Sequence, residues 1–329
     1  MPLYNKAHTI TRSLTSVMRQ EFTDFEVIVI DDGSTDNGRD IILSNFQDSR
    51  IKVIPQQNAG VSAARNRGVA ESHGDYIAFL DADDEWHPQY LSYIVQAISR
   101  YPDTGIICSA GMITYEGSDI REFVIAPRHI GKISKLCFFE NPAIYSHTSR
   151  TVVKKSVFYA VGGFIDTLSC CEDLCLTQMI ALQSPFIYIG IPLSKYVGGV
   201  EGQITSADSE KRYRLLASVV TYYNRIYACS HNSQYKRLCR RYLRYDIRHR
   251  FKGFLLHKDN RSMHYFHTHL DDGIKSLFFR WELYLYRTMS RHIGIFWVNI
   301  SKLIWRVHCY PVIGAKFNTN LIPSKFRNW

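Results

Sequence analysis

The sequence predicts an α/β protein with a mostly parallel sheet flanked by helices and a helical, basic C-terminal region. Two observations carry this. From residue 8 to residue 80, stretches with helical and strand periodicity alternate, which is the pattern of a parallel sheet with crossover helices. From about residue 210 onward the pattern is helical, basic and rich in Tyr and Phe. A chain of 329 residues with 46% apolar content has enough material for one large α/β domain plus an appended piece.

The elements follow in order. Ile10, Leu14, Val17 and Met18 share one face of a helix over residues 8–20. FEVIVIDDGSTD (25–36) is a buried strand that stops abruptly at a polar turn. A helix is expected within 38–46, and IKVIP (51–55) reads as a short strand. Gly60 then breaks the chain, and Ser62 is the expected N-cap of a small-faced helix carrying Ala63, Ala64 and Val69. Gly74 should end that helix before a strand at Tyr76–Leu80. Residues 142–165 read as short strands and Gly163-type turns, and CEDLCLTQMIAL (171–182) as a helix beginning at Glu172-Asp173.

Charge divides the chain. Residues 1–194 carry 16 Lys and Arg against 22 Asp and Glu, a balance of −6; residues 195–329 carry 24 against 8, a balance of +16. Eight cysteines show no framework spacing, so reduced thiols in a cytoplasmic protein are expected. Cys170, Cys171 and Cys175 lack zinc spacing, and His264, His267 and His269 read as a surface patch. No stretch approaches the ~18 apolar residues of a membrane span.

Chemistry concentrates where strands end, because open α/β sheets bind ligands beyond the carboxyl ends of their strands. Asp31-Asp32 and the cluster FLDADDEW (79–86) both occupy such ends. A calcium loop starting at Asp81 would need Gly at its sixth position and Glu at its twelfth, but Trp86 and Ser92 stand there. Magnesium or manganese asks only for one or two carboxylates, with phosphate and water completing the shell. Asp81 and Asp83, two residues apart, fit that demand, although an isolated pair of this kind is usually a solvated turn.

Context decides between these readings. PLYN (2–5), DDGSTD (31–36), NAGVSAARNRG (58–68), FLDADDEW (79–86) and GGF…ED (162–173) occur in that order. Together they resemble the family 2 glycosyltransferases, enzymes of the GT-A nucleotide-sugar fold, over about residues 1–205. The resemblance implies a catalytic domain at 1–205 and a separate helical region at 206–329. It also implies that Pro2, Tyr4 and Asp32 hold the nucleobase, and that Asn58 and Arg65 lie near the ribose and diphosphate. Asp81 would be the ribose and second-shell carboxylate, and Asp83 the ligand of Mn2+ or Mg2+. Glu172-Asp173 would supply the base of an inverting transfer, Asp173 taking the acceptor proton with Glu172 in support. The donor implied is a nucleoside-diphosphate sugar, by default a UDP-sugar, and the acceptor a hydroxyl of a cell-envelope, capsular or lipid-linked glycan. The QxxRW motif of processive synthases is missing, so transfer of one sugar or very few is expected.

Beyond the motifs, Leu277, Trp281, Leu285, Met289, Ile293, Phe296, Ile300, Ile304 and Val307 recur every three or four residues among basic ones. Such a stripe either packs on the catalytic part or rests on anionic lipid at the inner face of the plasma membrane. No nucleic-acid-binding module accompanies the charge. One departure from the family pattern is expected to matter. Met1 stands where an apolar first strand should end, which would leave PLYN without support and open a relic reading in which nucleotide-sugar binding is impaired. A third reading is a basic membrane-surface binding protein with the front part as scaffold.

Overall fold

The structure is a computed structural model that describes residues 1–119, 121–141, 147–200, 213, 215–282, 284, 291–304, 319–327 and 329. Its front part alternates as expected. Strand β1 (Pro2–Leu3) is followed by α1 (Ala7–Met18), β2 (Val27–Asp31), α2 (Gly38–Asn45), β3 (Ile51–Pro55) and α3 (Val61–Glu71). These three strands form a wholly parallel sheet in the order β1-β2-β3. All five residues of β2 are buried, which explains its unbroken apolar run.

A second sheet of seven strands is mixed. It contains β4 (Tyr76–Ala78), β5 (Glu85–Trp86), β6 (Ile106–Tyr115), β7 (Arg121–Val124), β8 (Ile133–Leu136), β9 (Thr151–Lys154) and β10 (Phe186–Gly198). The order is β4-β9-β6-β10-β5, with β7 on β6 and β8 on β10. Only β6 and β10 pair in parallel here. Helix α4 (Tyr90–Arg100) follows β5, and α5 (Lys155–Val161) and α6 (Glu172–Ala181) precede β10.

Four local expectations are corrected. The N-cap of α3 is Gly60, not Ser62. Asp32 accepts hydrogen bonds from the backbone N–H of Ala59 and Gly60, holding Gly60 at φ 90°, where glycine is favoured, so the helix starts one residue before Ser62. The same helix ends at Glu71 rather than at Gly74, because the Glu26 carboxylate captures the N–H of His73 and of Gly74. Within 142–165 a short strand (β9, Thr151–Lys154) and a left-handed turn at Gly162–Gly163 are present as expected, but between them stands an unexpected helix, α5, which buries Phe158 and Val161; residues 142–146 lie outside the described residues. Finally, PLYN is supported. Leu3 is fully buried, and β2 donates from Ile30 N–H to Met1 O and from Asp32 N–H to Leu3 O.

The rear helices are α7 (Leu216–Cys229), α8 (Lys236–His257), α9 (Asn260–His269), α10 (Asp272–Lys275) and α11 (Arg291–Ile304). Tyr222, Leu243, Ile247, Phe251 and Phe266 belong to the same hydrophobic cluster as Leu3, Val29, Ile106 and Ile187. One core therefore runs from the sheets into the helices. Within it, Arg248 grips Glu282 through two bonds, Nε to Oε1 at 2.6 Å and Nη2 to Oε2 at 2.7 Å, with both side chains fully buried. The 277–307 stripe is not one buried face: Leu277 is buried, while Trp281, Ile293 and Phe296 are exposed. Leu285, Met289 and Val307 lie outside the described residues.

Gly190, in the bulged middle of β10, exchanges two backbone hydrogen bonds with the 131–132 turn. A Cβ there would lie 1.7 Å from His129 O, a backbone atom that cannot step aside. Gly190→Ala should cost at least about 2 kcal/mol of unfolding free energy in a urea titration, as overpacked interiors do; an unchanged midpoint would contradict the packing described.

Candidate active site

The carboxyl ends of β2 and β4 and the N-terminus of α6 converge, and one buried cation joins two of them. Arg65, on α3, is 6% exposed. Its Nη2 donates to Asp81 Oδ1 at 2.8 Å and its Nη1 to Glu172 Oε1 at 2.9 Å. Phe164 lies under the guanidinium, 5.3 Å from ring centroid to Cζ. Burial works against the Arg65 charge, but Asp81 and Glu172 outweigh it and lift its pKa above the usual arginine range. Burial likewise pushes Asp81 upward, and Arg65 with its neighbours more than reverses this, leaving the carboxyl below the ordinary aspartate value.

Asp173 differs from its neighbour. It stands in the first turn of α6, after Cys171 in the left-handed region at φ 62°. Its Oδ1 accepts from Leu174 N–H at 2.7 Å. Burial, then the charge of Glu172, raise its pKa from 3.8 to about 7, against the pull of Arg65. A carboxylate that exchanges its proton near neutral pH is suited to general-base work. Arg65 thus holds Glu172 by a direct ion pair, while Asp173 has no such partner among the described residues.

The FLDADDEW loop distributes its acids over different tasks. Asp83 Oδ2 lies 2.9 Å from Lys6 Nζ, and its backbone carbonyl accepts from Arg12. Glu85 pairs with Arg12 and Lys195 at 3.3 and 3.5 Å. Asp84 turns inward, 1% exposed. It accepts from Ser149 Oγ at 2.5 Å and from Val197 N–H at 3.4 Å. Burial, with Asp81 and Asp83 close by, raises its pKa well above the usual carboxylate range. Ser149 also accepts from Asp81 N–H at 3.1 Å, so one hydroxyl fastens both ends of the Asp81–Asp84 turn. His147 Nδ1 lies 3.6 Å from Asp84 Oδ2, and burial lowers its pKa to about 4 despite the nearby Asp81. Donor atoms of Asp81, Asp84 and His147 lie within 4.8 Å of one another. Sequence reading missed Lys6, His147 and Ser149. The last two come from a segment more than sixty residues away and carry no motif.

The nucleobase-side residues are placed as follows. Pro2 is half-buried in β1, and Tyr4 is 49% exposed. Asp32 Oδ1 accepts from Gln56 Nε2 at 2.6 Å and Ala59 N–H at 2.9 Å, and Oδ2 from Gly60 N–H at 2.9 Å. Oδ2 therefore keeps room for one more donor. Asn58, exposed, donates to Asp32 O at 2.8 Å. The structure brings together Asp32 with Asn58, and Arg65 with Asp81 and Glu172; Asp83 is joined to Lys6 instead.

Comparison with known proteins places this site in company. The sequence pattern of Glycosyl transferase family 2 matches residues 1–162. The amylovoran biosynthesis glycosyltransferase AmsB of Erwinia amylovora is 33% identical over 206 residues, 60% of this chain and 67% of that protein. The Escherichia coli UDP-Glc:alpha-D-GlcNAc-diphosphoundecaprenol beta-1,3-glucosyltransferase WfgD is 46% identical over 87 residues, 26% of this chain and 34% of that protein. The chain spans about a third of the length of WfgD and of a Nostoc sp. glycosyltransferase that it also matches. Among solved structures, S. aureus TarS 1-349 in complex with UDP-GlcNAc superposes with a TM-score of 0.68 at 18% identity, covering 96% of this chain and 92% of that one, a likeness of fold.

Replacing Arg65 by Met would leave Asp81 and Glu172 facing each other without the cation between them. Urea unfolding should show a loss of about 3–5 kcal/mol, the usual cost of breaking a buried ion pair from one side; a loss below about 1 kcal/mol would deny Arg65 its bridging role.

Proposed function

The chain belongs to glycosyl transferase family 2, and from that premise we propose that it is an inverting, metal-dependent glycosyltransferase. It moves a sugar from a nucleoside-diphosphate donor, by preference a UDP-sugar, to a hydroxyl of a cell-envelope, capsular or lipid-linked glycan. The observation that carries this reading is Asp173, a carboxyl lifted to about 7 beside a Glu172 already committed to Arg65. Asp173 takes the proton from the acceptor hydroxyl as it attacks the anomeric carbon from the face opposite the departing diphosphate. Arg65 holds Glu172 and Asp81 in position through one ion pair to each. Asp32, Pro2 and Tyr4 form the nucleobase side, the remaining acceptor position on Asp32 Oδ2 suiting an imide N–H, and Asn58 lies toward the ribose and diphosphate. The printed names of AmsB and WfgD support an envelope or undecaprenol-linked acceptor.

For the cation we favour Asp83. Its Oδ2 is held by the Lys6 ammonium, a cation on a flexible side chain that Mn2+ or Mg2+ would displace from that oxygen. Bound there, the metal would neutralise charge developing on the leaving diphosphate. Asp84 and His147 are also close enough to Asp81 to serve as ligands. However, Asp84 is fully enclosed and held by Ser149 and Val197. A metal that keeps phosphate and water in its shell needs an open side, so we assign this second trio to fastening the loop.

Three measurements test the reading. Titration calorimetry should show UDP binding that depends on Mn2+ and is largely lost in Asp83→Ala; loss in Asp84→Asn with Asp83→Ala unaffected would move the metal to the inner trio. Asp173→Asn should keep nucleotide binding and lose at least about a thousandfold in transfer rate, and a near-normal rate would remove Asp173 as base. The pH profile follows from sign. Asp173 works deprotonated, so the rate should fall about tenfold per unit below pH 7. Because its folded pKa lies above its unfolded one, its charge penalises folding as pH rises from about 4 through about 7. Asp173→Asn should therefore be more stable than the natural protein at pH 8, and a destabilised variant would contradict the buried-charge account.

A further inference from the structure

Helix α11 is apolar on two opposite sides. One side packs on α8, with Val298 fully buried and Lys252 of α8 donating to Asn299 Oδ1 at 2.8 Å. On the other, Ile293 is 48% and Phe296 65% exposed, with Ile300 half-buried at helical spacing from them and Trp297, half-buried against the core, at the edge of this side. The segment before α11 extends this surface. Phe279 and Trp281 are each 48% exposed and Tyr284 is 64% exposed. The rings of Phe279 and Trp281 stack at 5.7 Å, and Trp281 meets Trp297 edge-on at 4.5 Å. The outcome is a continuous aromatic ridge on the outside of the protein.

The sequence that carries the ridge is one-sided in charge. Residues 275–329 contain nine Lys and Arg and a single acid, Glu282, although Lys275 pairs with Asp272 just before them at 2.9 Å. That acid is turned inward and held at both oxygens by Arg248, so it does not offset the outer cations. Arg280, between the two stacked rings in sequence, is exposed. Among the described residues no helix is long and apolar enough to cross a membrane.

We infer that this ridge is the surface on which the protein rests on a bilayer containing anionic lipid. Exposed Trp, Tyr and Phe suit the headgroup boundary, where a ring meets acyl chains on one side and water on the other. Exposed cations such as Arg280 are drawn to anionic headgroups over the last few ångströms. A helix with a buried inner side and an apolar outer side matches an element lying in the interface. The inference deepens the lipid-linked reading of the acceptor and rests on that reading only for its purpose, since docking would keep the enzyme at the surface where such an acceptor is held.

The test is flotation of the full chain with phosphatidylcholine vesicles, with and without phosphatidylglycerol, at about 0.1 M salt. The natural protein should partition at least about tenfold more onto the anionic vesicles. Ile293→Ser with Phe296→Ser, both at exposed positions, should lower that partition about tenfold while leaving the urea midpoint unchanged. Arg280→Glu should lower it too and flatten its salt dependence. The inference is overturned if the natural protein does not float, or if the double serine variant floats equally well. It is equally overturned if sedimentation velocity shows a dimer that Phe296→Ser dissolves, or if single-stranded RNA binds the ridge and vesicles do not. A chain that floats as described yet fails to bind UDP with Mn2+ would sink the transferase reading and leave the docking surface standing.

Discussion

Arg65 is the interaction on which the rest of the site depends. A guanidinium with two donors in a fixed fork spans the strand-end loop at Asp81 and the helix start at Glu172. These groups are 91 residues apart in sequence and belong to different layers of the fold. Burial first, and then the charge of the Glu172 that Arg65 holds beside it, raise the pKa of Asp173 to about 7. The same geometry therefore orders one acid and poises the other. Lysine, with its donors on one compact nitrogen, would not offer the fixed, spread fork that reaches both carboxylates.

A second set of contacts makes that bridge possible by fixing what it connects. On the loop side, Ser149 fastens Asp81 and Asp84 from the 3-10 turn Thr148–Arg150, and Trp86 Nε1 donates to Ser149 O at 2.7 Å. On the helix side, Gln178 of α6 donates to Tyr222 of α7 at 2.6 Å and to Tyr242 of α8 at 3.0 Å. Burial pushes both phenols well above the usual tyrosine range, so they remain neutral hydrogen-bonding groups. The rear helices thus brace the helix that presents Glu172 and Asp173, a physical link between the basic region and the candidate site that goes beyond shared burial.

The rear region also divides its own residues by role. Inside, Arg248 and Glu282 neutralise each other with full hydrogen bonding, the condition under which a buried ion pair is tolerated. Outside, aromatic rings and exposed cations such as Arg280 remain. A periodic stripe in the sequence cannot announce this division, because the same apolar spacing serves an inward face and an outward one.

The sequence by itself determined the alternation of strands and helices, the family motifs and the placing of the acidic groups at strand ends. These are local properties: residue periodicity, turn chemistry at Asp31–Gly33, and short segments whose order is as informative as their content. Tertiary structure decided which acid does which work. Asp81, Asp83, Asp84 and Glu85 are indistinguishable as a string of carboxylates, yet Arg65, Lys6, Ser149 and Arg12 reach them from four other places and give each a different environment. The helix boundaries at Gly60 and Glu71 were decided the same way, by Asp32 and Glu26 reaching across the fold. So was the support of PLYN, which rests on backbone pairing with β2 rather than on its own four residues. Long-range hydrogen bonds and buried charges depend on which segments meet, and that is settled only when the chain is folded.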